Sequence, residues 1–166
     1  MPPLLSKMIP VKISSLVLIR KHGLILLGMK KRGFGLGKWN GFGGKLENGE
    51  SMLECAKREL QEEAGITAEN LQKVGYLKFE FVEDPLIMHV HVYTSSSYQG
   101  EPRESDEMLP TWFPENEVPF HKMWADDKFW FPLFFKGAKF KGYFRFLDIE
   151  TIIEQKLEEV SSLDAC

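Results

Sequence analysis

Three glutamates, Glu59, Glu62 and Glu63, stand at i, i+3 and i+4 in a segment with helical periodicity. On a helix those side chains share one face. Three gathered carboxylates repel one another unless a cation joins them. An all-oxygen donor set suits a hard divalent ion such as Mg²⁺, with Mn²⁺ as a substitute. Arg58, beside them, is placed to orient carboxylates rather than to bind metal. A solvated acidic face is the ordinary alternative for such a pattern. Here, however, a stretch containing Gly33, Gly35, Gly37, Gly41, Gly43, Gly44 and Gly49 feeds the N-terminus of the same helix. That loop brings backbone N–H groups to where an anion could sit.

The helix is well delimited. Ser51 and Glu54 have capping-box spacing, Leu53, Ala56, Leu60 and Ala64 form an apolar stripe, and Gly65 suits a left-handed stop. These signals predict a helix over 52–64. Upstream, two apolar runs, 15–20 and 24–29, flank Lys21-His22-Gly23 and predict a hairpin. Downstream, alternation predicts strands at 76–82, 88–93 and 140–146, with a polar loop at 97–110 and a short aromatic helix at 126–135. Residues 149–160 are ambiguous between helix and strand, although their charge pattern looks helical. Strands around a central helix indicate a mixed α/β or α+β fold.

The chain has 166 residues, 43% of them hydrophobic, which is enough for one domain with a sizeable core. We expect a loose arm over 1–12 and a single domain over 13–166. Lys and Arg number 21 against 24 Asp and Glu, a net charge of −3, which argues against a protein that coats nucleic acid. Cys55 and Cys166 form no disulfide framework and no zinc pattern, which fits a reducing compartment. No stretch approaches the ~20 apolar residues of a membrane span, and residues 1–7 hold no continuous apolar core of a secretory signal. The expectation is a soluble cytoplasmic monomer acting on a small molecule, without a nucleic-acid or membrane partner; a mitochondrial or nuclear fraction stays open. His22, His89, His91 and His121 have no metal-ligand spacing and are read as structural or surface residues.

The chemistry-bearing segment resembles the Nudix family. Gly44, Glu50, Arg58, Glu59, Leu60, Glu62, Glu63, Gly65 and Ile66 occupy every specified position of the Nudix box. The glycine stretch is not a Walker A loop, because Leu46 follows Gly44-Lys45 where Ser or Thr is needed. Nor does it contain the G-x-G-x-x-G of dinucleotide binders. The resemblance implies an α/β/α sandwich with a mixed sheet and the box helix packed against it. It also implies hydrolysis of nucleoside diphosphate derivatives with divalent metal held by the box glutamates.

Further stretches, 28–35, 39–45, 79–81, 104–108, 123–127 and 129–133, resemble the MutT-homologue branch, which cleaves oxidised purine nucleoside triphosphates. That resemblance implies metal at Glu59, Glu62 and Glu63, joined by the Gly43 carbonyl and Glu107. It implies a general base at Glu63, or else at Glu59, with Arg58 completing the catalytic set. It implies nucleotide contacts from Ser15, Lys30, Phe34, Asn40, Phe42, Gly44, Lys45, Phe79, Phe81, Met88, Trp124, Asp126, Asp127 and Trp130. Ser15 stands where that branch has threonine and keeps the hydroxyl. The resemblance also favours a final strand over 149–160.

Independently, two adjacent carboxyls in an aromatic setting cannot both ionise cheaply, so one proton should remain on the Asp126–Asp127 pair. The bland alternative is that these aspartates cap a helix. Two other functions share the same box: hydrolysis of ADP-ribose or dinucleoside polyphosphates, and nucleotide binding without catalysis.

Overall fold

The computed structural model describes residues 8–166. Along them run β1 (Val11–Lys21), β2 (Leu24–Lys30), β3 (Trp39–Asn40), α1 (Met52–Ala64), β4 (Gln72–Phe81), β5 (Leu86–Ser95), β6 (Met108–Pro114), α2 (Asp127–Phe135), β7 (Lys139–Phe146) and β8 (Ile152–Val160). The strands form a mixed sheet in the order β3-β2-β1-β5-β4-β7-β8, with β6 on the other edge of β2. β1 pairs parallel with β5, and β4 pairs parallel with β7; the remaining pairs are antiparallel.

β1 shows why the sheet is covered on both faces. Leu16 and Leu18 point into a cluster with Trp130, Phe131 and Phe134 of α2. Val17 and Ile19 point the other way, into a cluster with Ala56, Leu60 and Ala64 of α1. A strand buried on both sides loses its polar alternation and becomes a continuous apolar run. The layers are therefore helix, sheet, helix. His22 (φ 55°) and Gly23 (φ 75°) turn the chain from β1 into β2 through a two-residue loop with both φ values positive.

Several boundaries differ from expectation. β1 starts at Val11, inside the segment expected as an arm, because its first residues pair with Ile87 and Met88 of β5. Residues 1–7 of that arm lie outside the described residues. β6 begins at Met108 within the expected polar loop, where it pairs with Lys30 of β2. On α1 the buried stripe is Cys55, Ala56, Leu60, Glu63 and Ala64, whereas Leu53 is 38% exposed. Met52 packs against the core in its place, so the stripe starts one residue earlier. Residues 152–160 are a strand, held by antiparallel pairing to β7.

His89 and His91 lie on the sheet face opposite the one that Val90 presents to α2. The Tyr76 hydroxyl and His89 Nδ1 stand 2.5 Å apart, and His91 Nδ1 is buried without a partner among the described residues. Burial, with the nearby Lys73 charge, holds the His91 pKa down to about 4.

Candidate active site

The glycine stretch is docked along β1. The Ser15 amide donates to the Gly44 carbonyl at 3.0 Å, and Val17 and Phe42 exchange backbone hydrogen bonds of 2.6 and 3.0 Å. The approach is so close at Gly43 that an added Cβ would lie 1.8 Å from the Ser15 carbonyl oxygen. Docking lays Gly43 and Gly44 across the C-terminal half of α1. The Gly43 amide donates to Glu63 Oε1 at 2.8 Å. A Cβ on Gly44 would stand 2.5 Å from Glu59 Oε1, so glycine here makes room for a carboxylate.

α1 is built to hold that position. Ser51 Oγ caps it by accepting from the Glu54 amide, and Gly65 ends it in the left-handed conformation at φ 72°. Arg58 sits at the hub. Its guanidinium donates to Glu50 at 2.7 and 3.0 Å, to Glu59 at 2.8 Å, to Glu62 at 3.2 Å and to the Lys45 carbonyl. Hydrogen bonding from Arg58 holds the Glu50 carboxyl down to about 2. Glu59 departs upward, because burial outweighs its bond to Arg58. Glu63 is 4% exposed, and its carboxyl is pushed up to about 7, first by burial, against the pull of the Gly43 amide, and further by the Glu59 charge.

Burial disposes both neighbouring carboxyls against ionisation, so a bound cation would stabilise their charged forms. The ligating atoms these side chains offer are all oxygens, and the absence of a side chain on Gly44 accommodates the Glu59 carboxylate. The residues present therefore fit a hard divalent cation. Glu62 is drawn toward Arg58 with its side chain 53% exposed, and Glu107 is bound by Lys30 at 3.1 Å and by Arg32 at 2.6 Å. Hydrogen bonding from Arg32 and Lys30 lowers the Glu107 pKa. Among the described residues, no three acidic, histidine or cysteine side chains converge tightly enough to hold an ion unaided.

Glu63, Asp126 and Asp127 line the same cavity of about 190 Å³. Its walls include Phe34, Asn40, Phe79, Phe81, Met88 and Trp124. Phe34 and Trp124 pack with ring centroids 4.9 Å apart. Asp126 and Asp127 are 3% and 2% exposed. Asp126 forms no capping hydrogen bond at the start of α2; its Oδ2 accepts from Trp130 Nε1 at 2.8 Å. Asp127 Oδ2 has no hydrogen-bond partner among the described residues. Burial raises both carboxyls, and the charge of Asp126 raises Asp127 further, so the pair retains a proton. The helix-cap alternative does not describe Asp126, whose carboxylate turns toward the indole instead.

The Nudix domain profile matches residues 9–134. The chain belongs to the Nudix family. It is 52% identical over 152 residues to the oxidized purine nucleoside triphosphate hydrolase of Danio rerio, covering 92% of this chain and 97% of that one. It is 48% identical over 151 residues to the protein of the same name from Mus musculus, covering 91% and 97%. Among solved structures it is similar to a mutator MutT protein from Bacillus halodurans, with a TM-score of 0.78, 29% identity, and coverage of 89% and 97%. Nudix hydrolases act on small nucleotide substrates and generally use divalent metal ions.

The Nudix scaffold brings together most of the residues singled out in the sequence. Ser15, Lys30, Phe34, Asn40, Gly43, Gly44, Glu63, Phe79, Phe81, Met88, Trp124, Asp126 and Asp127 all line the cavity. Phe42 does not; it is fully buried in the α1-side core. Lys45 lies outside the lining and offers its carbonyl to Arg58. Trp130 is also buried behind the lining and reaches the cavity only through Asp126. Lys38 and Ser14 line the cavity and carry no motif signal, and Met108, inside the 104–108 stretch, lines it too. The signal that points to Lys38 is its place within the glycine stretch, directly after Gly37.

Among the described residues, no helix is long and apolar enough to cross a membrane.

Proposed function

We propose that this Nudix protein hydrolyses oxidised purine nucleoside triphosphates to the monophosphate and pyrophosphate, with Mg²⁺ at Glu59, Glu62 and Glu63. The observation that carries the reading is one cavity lined both by the buried Asp126–Asp127 pair and by Glu63. Trp124 offers a flat face for a purine, and stacking of this kind is worth ~1–3 kcal/mol per base in single-stranded nucleic acids. A protonated Asp donates and an ionised one accepts, so moving one proton between the two carboxyls presents different edges to different bases. Such a floor suits both oxidised guanine and oxidised adenine.

Divalent metal, when bound, neutralises phosphate charge and polarises the attacking water. Gly43 and Gly44 lead the phosphates toward α1, and Lys30 on the cavity wall adds a cation to the phosphate path. Glu63 takes the proton of the attacking water as the bond between the α and β phosphates breaks and a new P–O bond forms to water. Glu59 is the alternative base. Arg58 holds Glu59 and Glu62 in place from behind and touches no reacting atom. In this reading the protein acts as a monomer in the cytoplasm.

The test is pyrophosphate release with Mg²⁺ over a panel of oxidised and ordinary purine triphosphates, ADP-ribose and a dinucleoside polyphosphate. Preference for the oxidised purines is expected, and Asp126→Asn should change that preference without changing metal dependence. Equal turnover across the panel, or no turnover, overturns the reading.

A further inference from the structure

Beside the indole, the cavity wall carries a cation that the proposed hydrolysis does not use. Lys38 follows Gly37 directly before β3, and its amide donates to the Gly35 carbonyl at 3.0 Å. Its ammonium is 2.8 Å from Glu150 Oε1 and 5.5 Å from the centroid of the Trp124 ring. The Lys38 side chain is 16% exposed, against 64% for Glu150. Glu150 stands at the β7–β8 turn, where its own amide donates to Asp148 Oδ1 at 2.8 Å. A carboxylate outside the cavity thus holds a positive charge at the cavity wall.

Asp127 Oδ2 is buried without a hydrogen-bond donor among the described residues, so burial disfavours its ionised form and nearby charge adjusts that balance. The charged and titratable groups on the cavity lining are Asp126 and Asp127 at the start of α2, Lys38 from the glycine loop, Lys30 from β2 and Glu63 from α1. Burial and Asp126 favour the protonated form of Asp127, and Lys38 opposes them.

We propose that Lys38 is a specificity-determining residue, whose ammonium, held between the Trp124 indole and Glu150, sets the balance between oxidised guanine and oxidised adenine nucleotides. The proposal rests on the base-slot reading above and deepens it. Lys38 favours an acceptor-only floor, and Glu150 partly neutralises Lys38. The two residues therefore pull the same balance in opposite directions.

The test measures kcat/KM for 8-oxo-dGTP and 2-hydroxy-dATP in the wild type, Lys38→Met, Glu150→Gln and Lys38→Arg, from weakly acid to weakly basic pH. The ratio of the two values should move in opposite directions in Lys38→Met and Glu150→Gln, by roughly threefold or more, the scale of one partly screened charge. The midpoint of its pH dependence should rise in Lys38→Met and fall in Glu150→Gln. Lys38→Arg should keep the wild-type ratio. A purely structural role would lower both substrates together; an unmoved ratio, or shifts in the same direction, overturns the proposal. If the wild type, assayed alongside with dGTP and dATP, does not distinguish oxidised from ordinary purines, the base-slot reading falls as well. A discriminating wild type with unmoved variants sinks the Lys38 assignment alone.

Discussion

The Gly43 amide donates a 2.8 Å hydrogen bond to Glu63 Oε1, so the glycine loop and the box helix meet at one carboxylate. That bond favours the ionised form of Glu63, while burial and the neighbouring Glu59 charge disfavour it. The balance leaves the carboxyl near neutrality, where a proton acceptor is most useful.

Glu63→Gln and Glu59→Gln should each lower Mg²⁺-dependent pyrophosphate release by about 10²–10⁴-fold with an unchanged circular dichroism spectrum. The same Glu63 substitution has a stability signature. The Glu63 pKa is raised from 4.5 to about 7, so the folded state holds its proton more tightly than the unfolded one, and stability is lost as pH rises through that interval. With chelator present, Glu63→Gln should be more stable than wild type above neutral pH and lose that advantage in acid. Denaturant midpoints at two pH values check the sign.

Gly44 and Gly43 should fail differently. Gly44→Ala pushes its methyl against the Glu59 carboxylate, 2.5 Å away, and should cost activity at least tenfold while the protein still folds. Gly43→Ala drives a methyl into the Ser15 carbonyl at 1.8 Å and should destabilise the whole β1–loop contact. Thermal midpoints measured beside activity separate the two.

Trp130→Phe removes the donor to Asp126 Oδ2 and keeps most of the buried ring. It should cost about 1–3 kcal/mol of stability, the range for leaving a buried acceptor unpaired. It should also raise the proton affinity of Asp126 and so alter base preference, read from relative kcat/KM values. An unchanged preference would show that Trp130 supports packing only.

His91 supplies a second pH effect, remote from the chemistry. Its pKa is lowered from 6.5 to about 4, so the unfolded chain binds the extra proton between those values and stability falls as pH drops through them. The loss should amount to about 1–2 kcal/mol, allowing for residual solvent screening. His91→Gln should flatten this limb in urea titrations, whereas an unchanged slope would assign acid sensitivity to other groups.

Local signals were readable without coordinates. Ser51, Glu54 and Gly65 delimit α1 because caps act through neighbouring backbone groups. The spacing of Glu59, Glu62 and Glu63 places them on one helix surface for the same local reason. The start of β6 at Met108 was hidden in a polar-looking stretch, because its pairing partner Lys30 is far away in the chain. The core side of α1 was misplaced at Leu53, because the rotation of a helix is set by the sheet it meets.

The sequence by itself determined the box helix, its acidic face, the hairpin and the presence of two adjacent aspartates among aromatics. Only the tertiary structure decided that Asp126 turns to Trp130 rather than capping α2, that Phe42 belongs to the core, and that Lys38 reaches the cavity wall. The physical reason is range: capping and helical spacing act within a turn or two, whereas burial and unpaired charge depend on what distant strands bring alongside.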